Sequence, residues 1–182
     1  KAGKINAIEK LVAFDRKEWR NLSEKQKSAN LDKLQQSVAD AHNRFPNVSV
    51  ELINAVIVHE SKGAWNAIST TGALGVMQLT ADNYYKGTGA GANFNPFDTR
   101  QSISYGVGML SGYLNKFGST QEGINKSLAA YNQGFGHVSR TIEKHGTEWV
   151  NHIHKDGLDY IKDINNIRNN VLRIPGYFGE RR

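Results

Sequence analysis

Cysteine is absent from the 182 residues, which excludes disulfide frameworks, thiol nucleophiles and cysteine-based metal sites but leaves the redox compartment open. Proline is scarce: Pro46, Pro96 and Pro175 are the only three, so an array of domains on Pro-rich linkers is not expected. No apolar run approaches the roughly 20 residues that a membrane helix needs, and no charged-then-apolar signal pattern opens the chain. A soluble chain with no membrane span is expected. It begins at Lys1 rather than Met, so a trimmed product or a piece of something longer is expected too. Lys plus Arg number 23 against 17 Asp plus Glu, a net charge of +6, which favours polyanionic surroundings such as nucleic acid, teichoic acid or carboxylate-bearing wall peptides. That charge is spread along the chain. No basic block is interleaved with aromatics, which argues against a specific nucleic-acid groove.

What is present is mostly helical. Ser23 and Gln26 form a capping-box pattern, and Leu31, Leu34, Val38, Ala41 and Phe45 follow at helical spacing until Pro46 stops them. Ile5, Ile8 and Val12 suggest a shorter helix before it. A second helix is expected from Ser49 as N-cap to about Gly63, with Ile53, Val56 and Ile57 as its apolar stripe. A third is announced by Asp98 and Gln101 and carries Ile103, Val107, Leu110, Leu114 and Phe117. Gly106, Gly108 and Gly112 each cost that helix about 1 kcal/mol relative to Ala, which predicts close approach of another backbone. A fourth helix runs through Ile124, Leu128 and Tyr131 to Gly134, and a last one carries Tyr160, Ile164, Ile167 and Val171. Between Ser69 and Asn95 a glycine-rich stretch, with Gly87, Gly89 and Gly91, has room for short strands or a lid.

Glu60 is the unusual residue. It lies seven positions after Ile53 on the same face of the second helix, so a carboxylate occupies a place where a core residue would normally sit. Burial and the negative end of the helix dipole both disfavour its ionised form, which is how a carboxyl is kept protonated as a general acid near neutral pH. The alternative is a side chain fraying toward solvent or paired with His59 or Lys62. From Ser61 through Ala81 there is no Asp or Glu, although a two-carboxylate glycosidase needs a second acid opposite the first. Asp82 and Asp98 are the nearest downstream; Asp98 reads as an N-cap and Asp82 as a surface or turn residue.

Other patterns are weaker. His152 and His154 would share one face of a strand but have no third ligand at sensible spacing. The spacing of Gly106, Gly108 and Gly112 misses a dinucleotide fingerprint by one residue, with no strand before it. Ser61 and Ser69 have no legible triad partners.

Two segments resemble a known family. Glu60 and Ser61, then Asn66, Ala67, Ile68 and Ser69, then Gly72, Ala73, Leu74, Gly75, Val76, Met77, Gln78 and Leu79 resemble the Glu-Ser, Ser and Gly-Ala-x-Gly-Leu-Met-Gln signature of soluble-type lytic transglycosylases. Ala130, Tyr131, Asn132, Gln133, Gly134, Phe135 and Gly136 resemble that family's Ala-Tyr-Asn-Ala-Gly-Pro-Gly segment. The run Asn95 to Asp98, with Ser102, Gly106, Tyr113 and Leu114, is similar to its intervening helix, and Asp159, Tyr160 and Ile161 to its late Tyr-Val element. Coverage runs from about Val48 to about Val171.

The resemblance implies a mainly α, lysozyme-like fold with a small β-hairpin at the cleft; residues 46–182 are expected to form the catalytic domain, and residues 1–45, which lie outside the resemblance, an N-terminal helical extension. It implies cleavage of the β-1,4 bond between N-acetylmuramic acid and N-acetylglucosamine in peptidoglycan strands, in the periplasm or at the cell wall, without metal or cofactor. Glu60 would be the sole catalytic acid and base. Gln78 and Asn132 would line the sugar cleft, Tyr160 would hydrogen-bond Glu60, and Ser61, Ser69, Met77 and Tyr131 would shape the same cleft; for Ser61 and Tyr131 helix packing is an equal alternative. The family's aromatic after Glu-Ser appears two positions late, as Trp65, Val76 stands for Leu, and Gln133 and Phe135 replace the common Ala and Pro. Gln133 is similar to its counterpart in transglycosylase domains of tailed-phage virion proteins, so a larger virion or cell-envelope assembly is an expected partner. Three other readings stay open: a goose-type-like muramidase using water, a noncatalytic wall-binding module, and a basic nucleic-acid binder with salt-dependent affinity.

Overall fold

The computed structural model describes residues 21–80 and 93–171. The expected helix through Ile5, Ile8 and Val12, the acid Asp82, Gly87, Gly89, Gly91, Pro175 and the side chain of Val171 lie outside the described residues.

Helix α1 spans Glu24–Arg44. Its capping box is closed from both sides: Gln26 N donates to Ser23 Oγ (3.3 Å) and Ser23 N to Gln26 Oε1 (2.8 Å). One apolar stripe, Leu34, Val38 and Ala41, is buried. Helix α2 spans Val50–Ser61 and starts on Ser49, whose Oγ accepts from Leu52 N at 3.2 Å. Leu52, Ile53, Ala55, Val56, Ile57 and Val58 are all buried, so α2 is a core helix on nearly every face. At about 1.5–3 kcal/mol for each large aliphatic side chain removed from water, this helix is a main source of stability. It stops at Lys62, which adopts a left-handed conformation (φ 53°).

Helix α3 (Thr99–Phe117) buries Ile103, Val107, Leu110 and Leu114. Asp98 Oδ1 accepts from Gln101 N (2.9 Å), but Gln101 Oε1 takes the N–H of Asn95 (2.9 Å), so its side chain braces the preceding loop instead of Asp98. Helix α4 (Gln121–Gln133) follows, then α5 (Phe135–His145), a 3-10 helix (Gly146–His152), α6 (Lys155–Asn166) and a π-helical turn (Ile167–Val171). Helix α3 packs against α1 and α4; α4 packs against α5 and α6; α6 and the π turn lie against α2. Arg100 with Asp40, and Lys33 with Asp98 (3.8 Å), tie α1 to the start of α3. Trp149, fully buried, anchors the 3-10 helix by donating from Nε1 to Glu122 Oε1 at 2.6 Å.

Several expectations are corrected. No β-strand, hence no cleft hairpin, occurs among the described residues: the domain is all-helical, and the segment after α2 holds only isolated bridges, Ile68 with Leu74 and Leu74 with Leu79. The chain reverses too quickly for a ladder. Positive φ at Gly72, Gly75 and Gln78 turns it twice within seven residues, so Leu74 must serve both bridges. At Gly75 (φ 76°) a Cβ would fall 1.9 Å from the Pro96 carbonyl oxygen, so only glycine fits. The α3 glycines are not approached by backbone. At Gly106 a Cβ would meet Met77 Cε at 2.6 Å and Tyr131 Oη at 3.0 Å, at Gly108 the Phe45 ring at 3.2 Å, and at Gly112 nothing within 4 Å. His152 and His154 are not on a strand either: His152 ends the 3-10 helix and stacks on His145, while His154 caps α6 and stacks on His137.

Candidate active site

Glu60 occupies the last turn of α2, where the helix leaves the core, and is partly buried. Because Ile53, Val56 and Ile57 hold the same face against the interior, its carboxyl cannot swing freely into water. Burial pushes its pKa from 4.5 up to about 7, against a hydrogen bond from Tyr160 that lowers it. Tyr160 Oη donates to Glu60 Oε1 at 2.7 Å. The Tyr160 ring is 3 % exposed and meets the edge of His59 (ring centroids 4.8 Å apart, planes at 79°). His59 itself reaches Asp163, Nε2 to Oδ2 3.4 Å, so neighbouring His59 turns toward α6 and not toward Glu60.

A pocket of about 470 Å³ opens over Glu60, lined also by Ser69, Gln78, Tyr131 and Asn132. Five of the eight residues singled out in the sequence therefore share one cavity. The other three lie behind its wall. Ser61 Oγ donates to Val76 O (2.8 Å) and accepts from Gly63 N (3.1 Å), stapling the end of α2 to the glycine-rich segment. Met77 is fully buried under Gly106, and Tyr160 supports Glu60 from within α6.

The glycine-rich segment is held by its own side chains. Ser69 Oγ accepts from Thr71 N and Ala73 N (3.3 and 2.9 Å). Gln78 Nε2 donates to Gly75 O (2.9 Å) and Ala67 O (3.2 Å), leaving its Oε1 as the acceptor available to a ligand. Tyr131 Oη donates to Met77 O at 2.7 Å, which fastens α4 to the same segment. Burial, then the Glu60 charge, keeps the hydroxyls of Tyr131 and Tyr160 well above the ordinary tyrosine range, so both stay protonated donors.

Thr71, Ala73, Thr80, Met109, Tyr113, Gln133 and Gly134 also line the pocket. Of these, Ala73, Tyr113, Gln133 and Gly134 carried a sequence signal, as parts of the resemblance. Met109 and Tyr113 lie one turn apart on the flank of the α3 stripe, a position that needs the placement of α4 to acquire meaning. Gln133 Nε2 donates to the carbonyl of His154, the N-cap of α6, at 3.1 Å, and a Cβ at Gly157 would lie 2.4 Å from that nitrogen. Gln133 thus joins the pocket wall to the helix that carries Tyr160.

The lining is neutral and polar, with hydroxyls, amides and two tyrosines around Glu60, the one carboxylate among the described lining residues. It suits an uncharged, hydroxyl-rich ligand beside one protonatable group. Among the described residues no group of three or more His, Asp or Glu is arranged to hold a metal ion, and no helix is long and apolar enough to cross a membrane. The family model described as Transglycosylase SLT domain matches residues 37–153, a span that begins within α1, contains Glu60 and both motif segments, and ends just before the helix of Tyr160. Matched over more than half its length, the chain belongs to the SLT transglycosylase family.

Proposed function

We propose that the protein cleaves the β-1,4 bond between N-acetylmuramic acid and N-acetylglucosamine in peptidoglycan as a lytic transglycosylase, with Glu60 as single acid and base. The observation that carries this reading is a carboxyl with a pKa near 7, held by Tyr160 in a pocket whose described lining offers no second carboxylate. Protonated Glu60 gives its proton to the bridging oxygen as the bond to the anomeric carbon breaks. The carboxylate then accepts the proton of the C6 hydroxyl while that oxygen bonds to the same anomeric carbon. Glu60 ends protonated, as it began, and no water is consumed.

An intramolecular nucleophile has a high effective concentration and needs no residue to orient water. Tyr160 acts on both halves of the cycle, since its hydroxyl favours the carboxylate that must form in the first and act as base in the second. Gln78 and Asn132 hold the sugar through their amides, and Ser69 and Tyr131 complete the wall. Ser61 and Met77 shape it from behind. Residues 1–45 serve this domain as an extension, and the protein acts at the cell wall or in the periplasm.

Digestion of purified sacculi followed by mass spectrometry of the released muropeptides tests the reading. Products lighter by one water than their hydrolysed counterparts are expected. Reducing muramic ends would assign the reaction to water and leave a muramidase; no release at all would remove the wall as substrate.

A further inference from the structure

A glycan strand is longer than the pocket over Glu60 and must leave it across the protein surface. Tyr113, in the pocket lining, stacks almost parallel on Phe135, with ring centroids 5.5 Å apart and planes at 9°. Phe117 leans on the same ring at 5.7 Å and 36°. These three rings form one aromatic surface with its inner end in the pocket. Phe135, at its outer end, is 36 % exposed, one of two large hydrophobic residues left exposed among the described residues. Its ring therefore carries the apolar surface of the pocket wall outward, where a bound ligand could cover it.

The ring is also fixed in place. Gly134, a pocket-lining residue at φ 92°, ends α4 and caps α5 at once, and α5 begins at Phe135 with no side-chain cap. Clamped between two helices and flanked by Tyr113 and Phe117, Phe135 has little rotamer freedom to lose on binding. A pyranose presents a face of C–H bonds that packs on the electron-rich face of an aromatic ring, and its hydroxyls reach sideways to polar neighbours. Asn132, three residues before Phe135, lines the pocket and is exposed, and it supplies such a neighbour.

We propose that Phe135, backed by Tyr113 and Phe117, is a sugar-stacking subsite that takes the pyranose next to those held in the pocket. The inference rests on the glycan-cleaving reading, extends it outside the pocket, and makes Phe135 a determinant of how long a strand the protein prefers.

The test uses the full chain with Glu60→Gln, so that binding is measured without turnover, and β-1,4-linked N-acetylglucosamine oligomers of increasing length as probes. In the parent, affinity should rise as the oligomer grows long enough to reach Phe135. Adding Phe135→Ala or Phe135→Leu should lower affinity for long oligomers by about fivefold and leave short ones unchanged. The leucine variant keeps apolar cover over Tyr113 and Phe117, so it separates stacking from packing if the alanine variant folds poorly. Unchanged affinity at every length in a folded leucine variant would overturn the subsite, as would an equal loss at every length. Failure of the Glu60→Gln parent to bind any oligomer while it still binds purified sacculi would overturn this inference alone; failure to bind either would overturn the glycan reading as well.

Discussion

Two cavities lie on either flank of α3 and meet at Met109, and the larger is not the candidate active site. The groove between α1 and α3, about 750 Å³, is lined by Asp40, Arg44, Phe45, Phe94, Arg100 and Tyr105, among others. The pocket over Glu60 has a little under two thirds of that volume, at about 470 Å³. In the groove the charges are surface charges with ordinary uses: Arg100 pairs with Asp40 across the helices, and Arg44 lies 5.4 Å from the centre of the Phe45 ring. In the pocket one acid is withdrawn from water far enough to titrate near neutrality. Chemistry is marked by the cost of holding a group in an unfavourable state, and volume carries no such mark.

The sharpest way to break this contrast is Glu60→Gln. Wall cleavage should fall by about a thousandfold or more, because the amide keeps the shape but cannot carry a proton. The same variant tests the burial argument. Since the pKa of Glu60 in the folded protein, about 7, lies above its ordinary 4.5, the stability linked to it is present in full below about 4.5 and is lost as pH rises through 7. Near pH 8 the parent carries a penalty on the order of 3 kcal/mol that the variant lacks. Melting curves near pH 4 and near pH 8 should therefore show the variant gaining on the parent only at the higher pH. A folded variant that still clears sacculi, or parallel pH dependence of the two proteins, would remove Glu60 from its place.

Deleting residues 1–45 comes next in size. It strips Leu34, Val38 and Ala41 from the shared core, at a cost of several kcal/mol, and leaves every pocket residue in the chain. Loss of solubility or a greatly lowered melting temperature is expected; a truncated chain as stable as the parent would show that α1 adds nothing to the core it touches.

Tyr160→Phe should reduce the rate by roughly tenfold to a hundredfold, the worth of a hydrogen bond to a charged group. Stability should change less, because the ring stays packed. Its signature is directional: without the donated hydrogen bond the pKa of Glu60 rises further, so the alkaline limb of the kcat/KM profile should move upward in pH. A normal profile with a lowered melting temperature would leave Tyr160 a packing residue only. The smallest effect is expected for Arg44→Ala in the groove, with unfolding free energy within about 0.5 kcal/mol and cleavage unchanged. A clear drop in cleavage would mean that the larger cavity also takes substrate.

Local signals account for much of what the sequence revealed. The caps at Ser23, Ser49 and Asp98 are visible because one side chain meets a backbone N–H three residues on. Glu60 stands out from helical register alone, since i and i+7 share a face. Its contact with Tyr160 spans a hundred residues of chain, and no periodicity encodes that distance; it came from resemblance. Helix α5 escaped notice because it starts on a glycine with no capping side chain and buries little more than Val138 and Thr141. The expected hairpin failed for a related reason. It came from the resemblance and not from any alternation in the sequence, and positive φ at Gln78, which composition does not foretell, helps fold the segment into turns.

Helix α2 contributes to the core and carries the Glu60 carboxyl in one piece of secondary structure. Ile57, fully buried, sits one turn below Glu60. Trimming it to alanine would open a cavity where water can approach the carboxyl, and the acid would weaken its hold on its proton before the fold gave way. Damage to the core would then first register as a working range displaced toward acid, in a protein still folded and still binding its ligand. On the role proposed for Glu60, the pH of greatest activity would double as a gauge of how dry the centre of the molecule is.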